Sequence, residues 1–131
     1  MSYKDCDRMA KGRFLVLKND KDTETVLVVG EPESRQVKGD FGPKTEFLFP
    51  IIHDGELKVY ASNKRNYPDL CEHRDKFETH SVKITRRGKK GAQSTIYLFD
   101  VAPDTPEEKA AREGVVDADV VQMFEDLIVP F

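Results

Sequence analysis

The sequence has little cysteine and no long apolar run, and each shortage excludes a class of protein. Its 131 residues include two cysteines, Cys6 and Cys71. Without a secretion signal, two cysteines are more typical of free thiols than of a disulfide framework. The N-terminus, MSYKDCDRMAKGR, lacks the apolar core of a signal peptide, and no stretch has the apolar length of a membrane span. We therefore expect a cytoplasmic protein.

Sequence motifs of catalysis are also missing. The chain contains no Gly-x-Ser-x-Gly elbow, no phosphate-binding loop ending in Gly-Lys-Ser/Thr and no His-Glu-x-x-His. Cys71, His73 and His80 are the one candidate metal cluster, whereas a structural zinc site normally has four ligands in a paired spacing. The residues therefore predict no active site, no metal and no cofactor.

Charge is distributed unevenly along the chain. The net charge is −3, but residues 1–103 hold 19 of the 21 Lys and Arg and 16 of the 24 Asp and Glu, a net +3. Residues 104–131 hold the other 2 cations and 8 acids, a net −6. The distribution of charge is more informative about partners than its sum. The sequence predicts a basic body with an acidic tail.

The length suits one domain with a tail, which we divide into a polar leader (1–11), a β domain (12–102) and the tail (103–131). Asp54-Gly55 between two β-rich runs predicts a hairpin, and the charged stretch 63–79 predicts a short helix or loop. A bend at Gly30 and Pro32 would divide one long strand. The predicted strands are 13–18, 25–29 continued by 34–37, 45–52, 57–62, 81–86 and 95–100.

The tail carries signals for two helices. Thr105-Pro106-Glu107-Glu108 combines a cap residue, a proline at the first helical position and a glutamate three residues after the threonine. Gly114 is expected to end this helix. Residues 117–128 place apolar side chains along one stripe, which predicts a second, acidic and amphipathic helix.

Cations without acidic neighbours are the clearest functional signal. Between Thr79 and Phe99 there is no Asp or Glu to neutralise them. Such a group at a strand end can bind phosphates with strong salt dependence, and the alternative is a solvated hairpin tip kept soluble by its charges. The cations are Lys83, Arg86, Arg87, Lys89 and Lys90.

Aromatic residues on the strands favour the nucleic-acid interpretation. Exposed aromatic rings beside a basic loop would stack on unpaired bases. Phe47 and Phe49 fit the core and a platform equally, whereas Tyr60 and Tyr97 are better platform candidates because Val59, Ala61, Ile96 and Leu98 could fill the core. The further candidates are Lys58, beside Tyr60, and Lys64, Arg65 and Tyr67 in the following polar loop, which could equally be ordinary solvated residues.

The strand order resembles the five-stranded OB-fold, a small Greek-key barrel, over residues 12–102. Within it, Val82-x-Ile84-x-Arg86-x-Gly88 followed by Thr95-x-Tyr97 resembles the last hairpin of single-stranded DNA-binding proteins of phages and other prokaryotic viruses. The resemblance implies a mainly β fold, a single-stranded DNA partner and, for a virus-encoded protein, the host cytoplasm.

The C-terminus resembles that of bacterial single-stranded DNA-binding proteins, which end in an acidic peptide closing with Pro-Phe. In that family the tip recruits replication and repair proteins, and the terminal Phe enters an apolar pocket. The resemblance gives this role to Phe124, Glu125, Asp126, Pro130 and Phe131. The chain departs from the pattern in having fewer acids and no flexible linker before the tip, so an ordered helix packed on its own barrel or on a neighbouring subunit is an open alternative.

These observations predict a sequence-nonspecific single-stranded DNA-binding protein of replication, recombination or repair, with a possible homo-oligomeric state. The +3 and −6 division suggests that the tail covers the basic groove until nucleic acid displaces it. The alternatives are an RNA-binding OB module, a protein-interaction domain and, least favoured, a nuclease. Analogy of fold does not by itself establish function.

Overall fold

The computed structural model describes residues 14–39, 42–88 and 95–128, with the backbone alone at residues 38–39 and 127–128. The fold is mainly β, as expected, with a few short helices. The strands are β1 (Thr23–Val28), β2 (Glu33–Gly39), β3 (Gly42–His53), β4 (Glu56–Asn63), β5 (His80–Arg87) and β6 (Ile96–Pro103). The helices are α1 (Tyr67–Cys71), α2 (Pro106–Glu113) and α3 (Asp117–Ile128), with a 3-10 turn at Arg74–Lys76.

The six strands form one antiparallel sheet centred on β3. Its order is β2-β3-β1-β5-β6, and β4 pairs with β3. β3 pairs with β2 near Leu48, opposite Glu33, and with β1 near Ile51, opposite Val28. The strand that was predicted to run through the bend is therefore two strands, β1 and β2. Both of them pair with β3, one before the bend and the other after it. Within the described residues no ladder joins β4 to β6, so hydrogen bonding leaves the sheet open.

The bend between β1 and β2 brings two backbones close together. A Cβ atom added to Gly30 would lie 3.0 Å from the Pro50 Cγ, so a side chain there would require a small shift of the Pro50 ring. Pro50 lies inside β3, where a proline normally costs a ladder hydrogen bond. The Pro50 carbonyl oxygen accepts a hydrogen bond from Val29 N at 2.9 Å. After Val29 the chain turns away from β3 into the bend. The bend thus accommodates a proline in a central strand.

The β3–β4 hairpin confirms the Asp-Gly prediction. Asp54 and Gly55 both adopt positive φ, +52° and +77°, as a two-residue type I′ turn requires. Across the hairpin Ile52 pairs with Leu57 and Phe49 with Tyr60.

The predicted strand over residues 13–18 is wrong in its described part. Phe14 forms an isolated parallel bridge with Val59, and Leu15 N donates to the Val59 carbonyl oxygen at 2.9 Å. The Asp22 carboxylate accepts hydrogen bonds from Lys18 N and Asn19 N. The described start of the chain thus contacts β4, and the amides of Lys18 and Asn19 are bonded within the turn.

Both faces of β3 are buried, which explains its unbroken apolar sequence. The inner cluster contains Phe49 and Ile51 and extends to β5 and β6. On the other face Leu48 packs with Val59 and with the tail residues Met123 and Phe124. The sequence offered two faces as alternatives for the core, and the sheet uses both because α3 covers the second one.

The tail helices begin and end as predicted. Glu108 N donates to the Thr105 hydroxyl and Thr105 N donates to the Glu108 carboxylate, a complete capping box. Gly114 caps the C-terminal end of α2. Arg112 fastens α2 to the sheet through the Val28 and His80 carbonyl oxygens. In the described part of the chain, no helix combines the length and the apolar character needed to cross a bilayer.

Candidate nucleic-acid interface

The outer face of β5 carries two of the predicted cations. Lys83 and Arg87 are exposed and share this face with Thr85. Lys83 lies between Thr25 of β1 and Asp100 of β6. Strand alternation places every second residue outward, so Lys83 faces solvent opposite the exposed Asp100, and Arg87 faces solvent near the Asp20 carboxylate.

The base of the β5–β6 hairpin is tightly constrained. Gly88 has a φ of +135°, and a Cβ atom there would lie 2.8 Å from the Thr95 Cα. Gly88 N donates to the Asp20 carboxylate at 3.0 Å. This hydrogen bond, aided by the charges of Lys21 and Arg87, lowers the pKa of Asp20 below its usual value. Lys89 and Lys90, the remaining predicted cations, follow Gly88 in the chain and lie outside the described residues.

Arg86 lies on the inner face of β5 and not on the outer face, where the predicted phosphate-binding role would require it. Its Nη1 donates to the Leu17 carbonyl oxygen at 2.7 Å, and its Nε is buried without a hydrogen-bond partner. Alternation places Arg86 with Val82 and Ile84, which belong to the inner cluster. The guanidinium therefore ties the N-terminal segment to β5 and is not presented to a phosphate.

The predicted aromatic platform is wrong for Phe49 and Tyr60. Phe49 is 1% exposed and Tyr60 is 4% exposed. Tyr60 contacts Tyr97 edge-on at 6.3 Å between ring centroids. Burial, and secondly Tyr97, raises the pKa of Tyr60. Leu98, which was expected to fill the core, is 43% exposed, because the inner face accommodates the larger rings.

Tyr97 is half-buried on this inner side, and Phe47 is half-buried against α1. The Phe47 and Tyr67 rings stack at 3.8 Å between centroids with 14° between their planes. The Phe47 and Tyr67 rings thus each already have an aromatic partner on one face. Of the predicted stacking residues, Phe47 and Tyr97 retain partial exposure only.

Lys58 takes part in a partly buried chain of polar contacts. Its ammonium donates to the His53 Nδ1 at 3.0 Å, and the His53 Nε2 lies 2.7 Å from the Glu24 carboxylate. The Lys58 ammonium can only donate, so His53 Nδ1 is the acceptor of this hydrogen bond. Lys58 is therefore bound at one end of the inner face. Lys64 and Arg65, which follow β4 in the chain, are exposed.

The acidic tail covers the outer face of the β3–β4 hairpin. Met123 is 3% exposed and Phe124 is 6% exposed in the cluster with Leu48 and Val59. Phe124 is therefore occupied within its own fold, as in the alternative of an ordered helix packed on its own barrel. Glu125 and Asp126 are exposed, with Asp126 accepting a hydrogen bond from Gln122. Pro130 and Phe131 lie outside the described residues.

The structure thus divides the predicted site. Lys83, Arg87, Lys64 and Arg65 are at the surface, whereas Phe49, Tyr60, Arg86 and Lys58 have structural partners inside. Asp20 was missed, although its place in an Asn-Asp-Lys-Asp turn indicates an exposed carboxylate. Among residues 14–39, 42–88 and 95–128, no group of three or more His, Cys, Asp or Glu side chains is placed to hold a metal ion.

Comparison with known proteins identified no relative. Neither the scan against protein-family models nor the searches of curated proteins and of solved structures gave a match.

Proposed function

We propose that this chain is an OB-fold-like protein that binds single-stranded DNA without sequence specificity. The strand-pairing scheme carries the proposal. The bent pair β1–β2 takes the place of the first OB strand, and it pairs with β3 on one side and β5 on the other. The hairpins β3–β4 and β5–β6 then take the places of strands two and three and of strands four and five.

In an OB-fold, oligonucleotides bind on the face of strands two and three and on the loops after strands one and four. The corresponding face here is the outer side of β3 and β4. The loop after strand four corresponds to the β5–β6 hairpin, where Arg87 precedes Lys89 and Lys90. Positive charge at this position supports binding to a phosphate backbone.

A second exposed cationic pair supports an extended binding path. Lys64 and Arg65 follow Asn63, which pairs with Glu46 near the start of β3. Arg87 lies two residues beyond Thr85, which pairs with Thr23 at the opposite end of the sheet. Glu46 is six positions along β3 from Ile52, the partner of Leu27, which is about 20 Å at the usual rise per residue, and Thr23 lies four residues further along β1. A strand of several nucleotides would be needed to reach both cationic pairs.

Helix α3 lies on the same face and would compete with DNA. It presents Asp117, Asp119 and Glu125 to solvent and holds the sheet through Met123 and Phe124. We propose that single-stranded DNA displaces α3, which then becomes available to replication or repair proteins in the cytoplasm. Deleting residues 104–131 is a poor test, because it also removes Arg112, which fastens β1 and β5.

A competition experiment distinguishes the classes of ligand. Labelled poly-dT would be bound first and challenged with unlabelled poly-dT, poly-U or a matched duplex. Stronger competition by poly-dT than by either rival supports the proposal. Stronger competition by poly-U would indicate an RNA-binding module, and no binding of the labelled strand by the full chain or by a Phe124→Ser variant would indicate a protein-interaction domain.

A further inference from the structure

A cleft of about 690 Å³ lies away from the proposed DNA path. Its walls are the bend after β1, helix α1 with the following 3-10 turn, and the chain that connects α2 to α3. The volume is in the range of sites for drug-sized ligands. The cleft can therefore accept roughly a few side chains of a peptide, and it is too small for a whole helix.

Aromatic rings form the floor of this cleft. Phe49 lies 5.9 Å from Tyr67 and 6.4 Å from Phe77, measured between ring centroids. All three rings line the cleft, but Phe49 is buried, so Tyr67 and Phe77 are the rings that a ligand can reach. A floor of this kind favours an apolar side chain, and the faces of such rings also attract cations.

The rim of the cleft is acidic. Glu31, Glu78 and Asp117 line it and are exposed, and none of the three forms an ion pair with any other described residue. Arg74 is the exposed cation of the rim. Arg112 also lines the cleft, but Asp104 and two backbone carbonyl oxygens already bind its guanidinium.

We propose that this cleft binds a short segment of a partner protein in which arginine or lysine alternates with apolar residues. Apolar side chains would occupy the aromatic floor, and the cations would meet the carboxylates at the rim. The same carboxylates repel phosphates, so nucleic acid is disfavoured here. The site thus differs from the proposed DNA path in charge, and among the described residues it borders that path only at Asp117, the first residue of α3.

The test uses the ¹⁵N-labelled full chain and two capped tetrapeptides, Leu-Arg-Trp-Arg and Leu-Glu-Trp-Glu. The basic peptide is expected to shift the amide signals of Gly30, Phe77 and Val115, and the acidic one is not. The double variant Glu31→Lys/Glu78→Lys should weaken binding by about tenfold or more, because it reverses two rim charges. Asp100→Lys, on the outer face of β6, is the matched control and should not weaken it.

Several results would overturn the proposal. They are equal binding of both peptides, the absence of shifts around the cleft at millimolar peptide, or an equal loss in the Asp100→Lys control. The inference is separable from the proposed function, because the double variant lies off the DNA path and should retain poly-dT binding. A chain that binds the basic peptide but not poly-dT would contradict only the DNA proposal.

Discussion

Arg112 and Asp104 form a two-point ion pair, with Nε 3.0 Å from Oδ2 and Nη2 3.2 Å from Oδ1. The Asp104 side chain is 7% exposed. The same guanidinium also binds the carbonyl oxygens of Val28 and His80, so one side chain joins the tail to two strands.

Arg112→Met is therefore expected to destabilise the protein by about 3 kcal/mol, because it leaves a buried carboxylate without its partner. Urea denaturation measures the change. Arg112→Lys keeps the charge but loses the two-point contact of the guanidinium. Its free energy of unfolding should therefore lie between those of the unmodified chain and of Arg112→Met. A loss under about 1 kcal/mol for the methionine variant would show that the ion pair is not a structural anchor.

Thr105→Ala should cost about 1 kcal/mol through loss of the α2 cap. Thr105→Ser keeps a hydroxyl acceptor for Glu108 N and should retain most of the stability. Thermal unfolding of the two variants side by side makes the comparison. Equal losses in both would indicate that the threonine methyl group, and not the hydroxyl, is responsible.

Phe124→Ser should release α3 and strengthen poly-dT binding by about tenfold at low salt, where the acidic helix competes most strongly. Val121→Ser is the matched control, since Val121 is on the same helix but 55% exposed. Fluorescence anisotropy measures both affinities. Unchanged affinity in Phe124→Ser, with α3 shown by NMR to be released, would exclude competition between the helix and DNA.

Lys83→Ala and Arg87→Ala should each reduce the salt dependence of poly-dT binding. For each single-strand phosphate that the variant no longer neutralises, the log–log slope should decrease in magnitude by about 0.7. Lys109→Ala, on the exposed side of α2, should leave the slope unchanged. If all three variants behave alike, the β5 cations contribute only to the overall charge.

Tyr60 should make stability fall at alkaline pH. Its folded pKa is raised by burial above the ordinary value of 10.0, so near that pH and above it the unfolded chain loses this proton while the folded chain keeps it. The contribution is thus fully present below pH 10 and is lost progressively as pH rises further. Tyr60→Phe should flatten this decline in denaturation experiments, and an equally steep decline would contradict the assignment.

Local sequence signals predicted the elements well where the chemistry is itself local. Asp54-Gly55 and the Thr105 capping box need only adjacent residues, and both were predicted correctly. The choice of buried face could not be made this way, because the second apolar face of β3 is covered by Phe124, a residue far along the chain. The exposure of Leu98 and the burial of Tyr60 depend on the same tertiary packing.

The candidate site was predictable only in its charge. The stretch without Asp or Glu identified Lys83 and Arg87 as candidate phosphate-binding cations from the sequence. The net charge of such a stretch does not depend on which face of the strand each residue occupies. Treating the cations as one charged group overlooked that Arg86 faces inward, although alternation places it on the same side of β5 as Val82 and Ile84. Nor could the sequence show Lys58 bound to His53, a contact created by the β3–β4 hairpin.

The most direct test of the central claim is the fluorescence anisotropy of labelled poly-dT of about 20 to 30 nucleotides, titrated with the full chain at low and moderate salt and compared with a matched duplex. Preferential binding of poly-dT that weakens steeply with added salt is the predicted result. Absence of binding at low salt, or binding of the duplex equal to that of the single strand, would contradict the account.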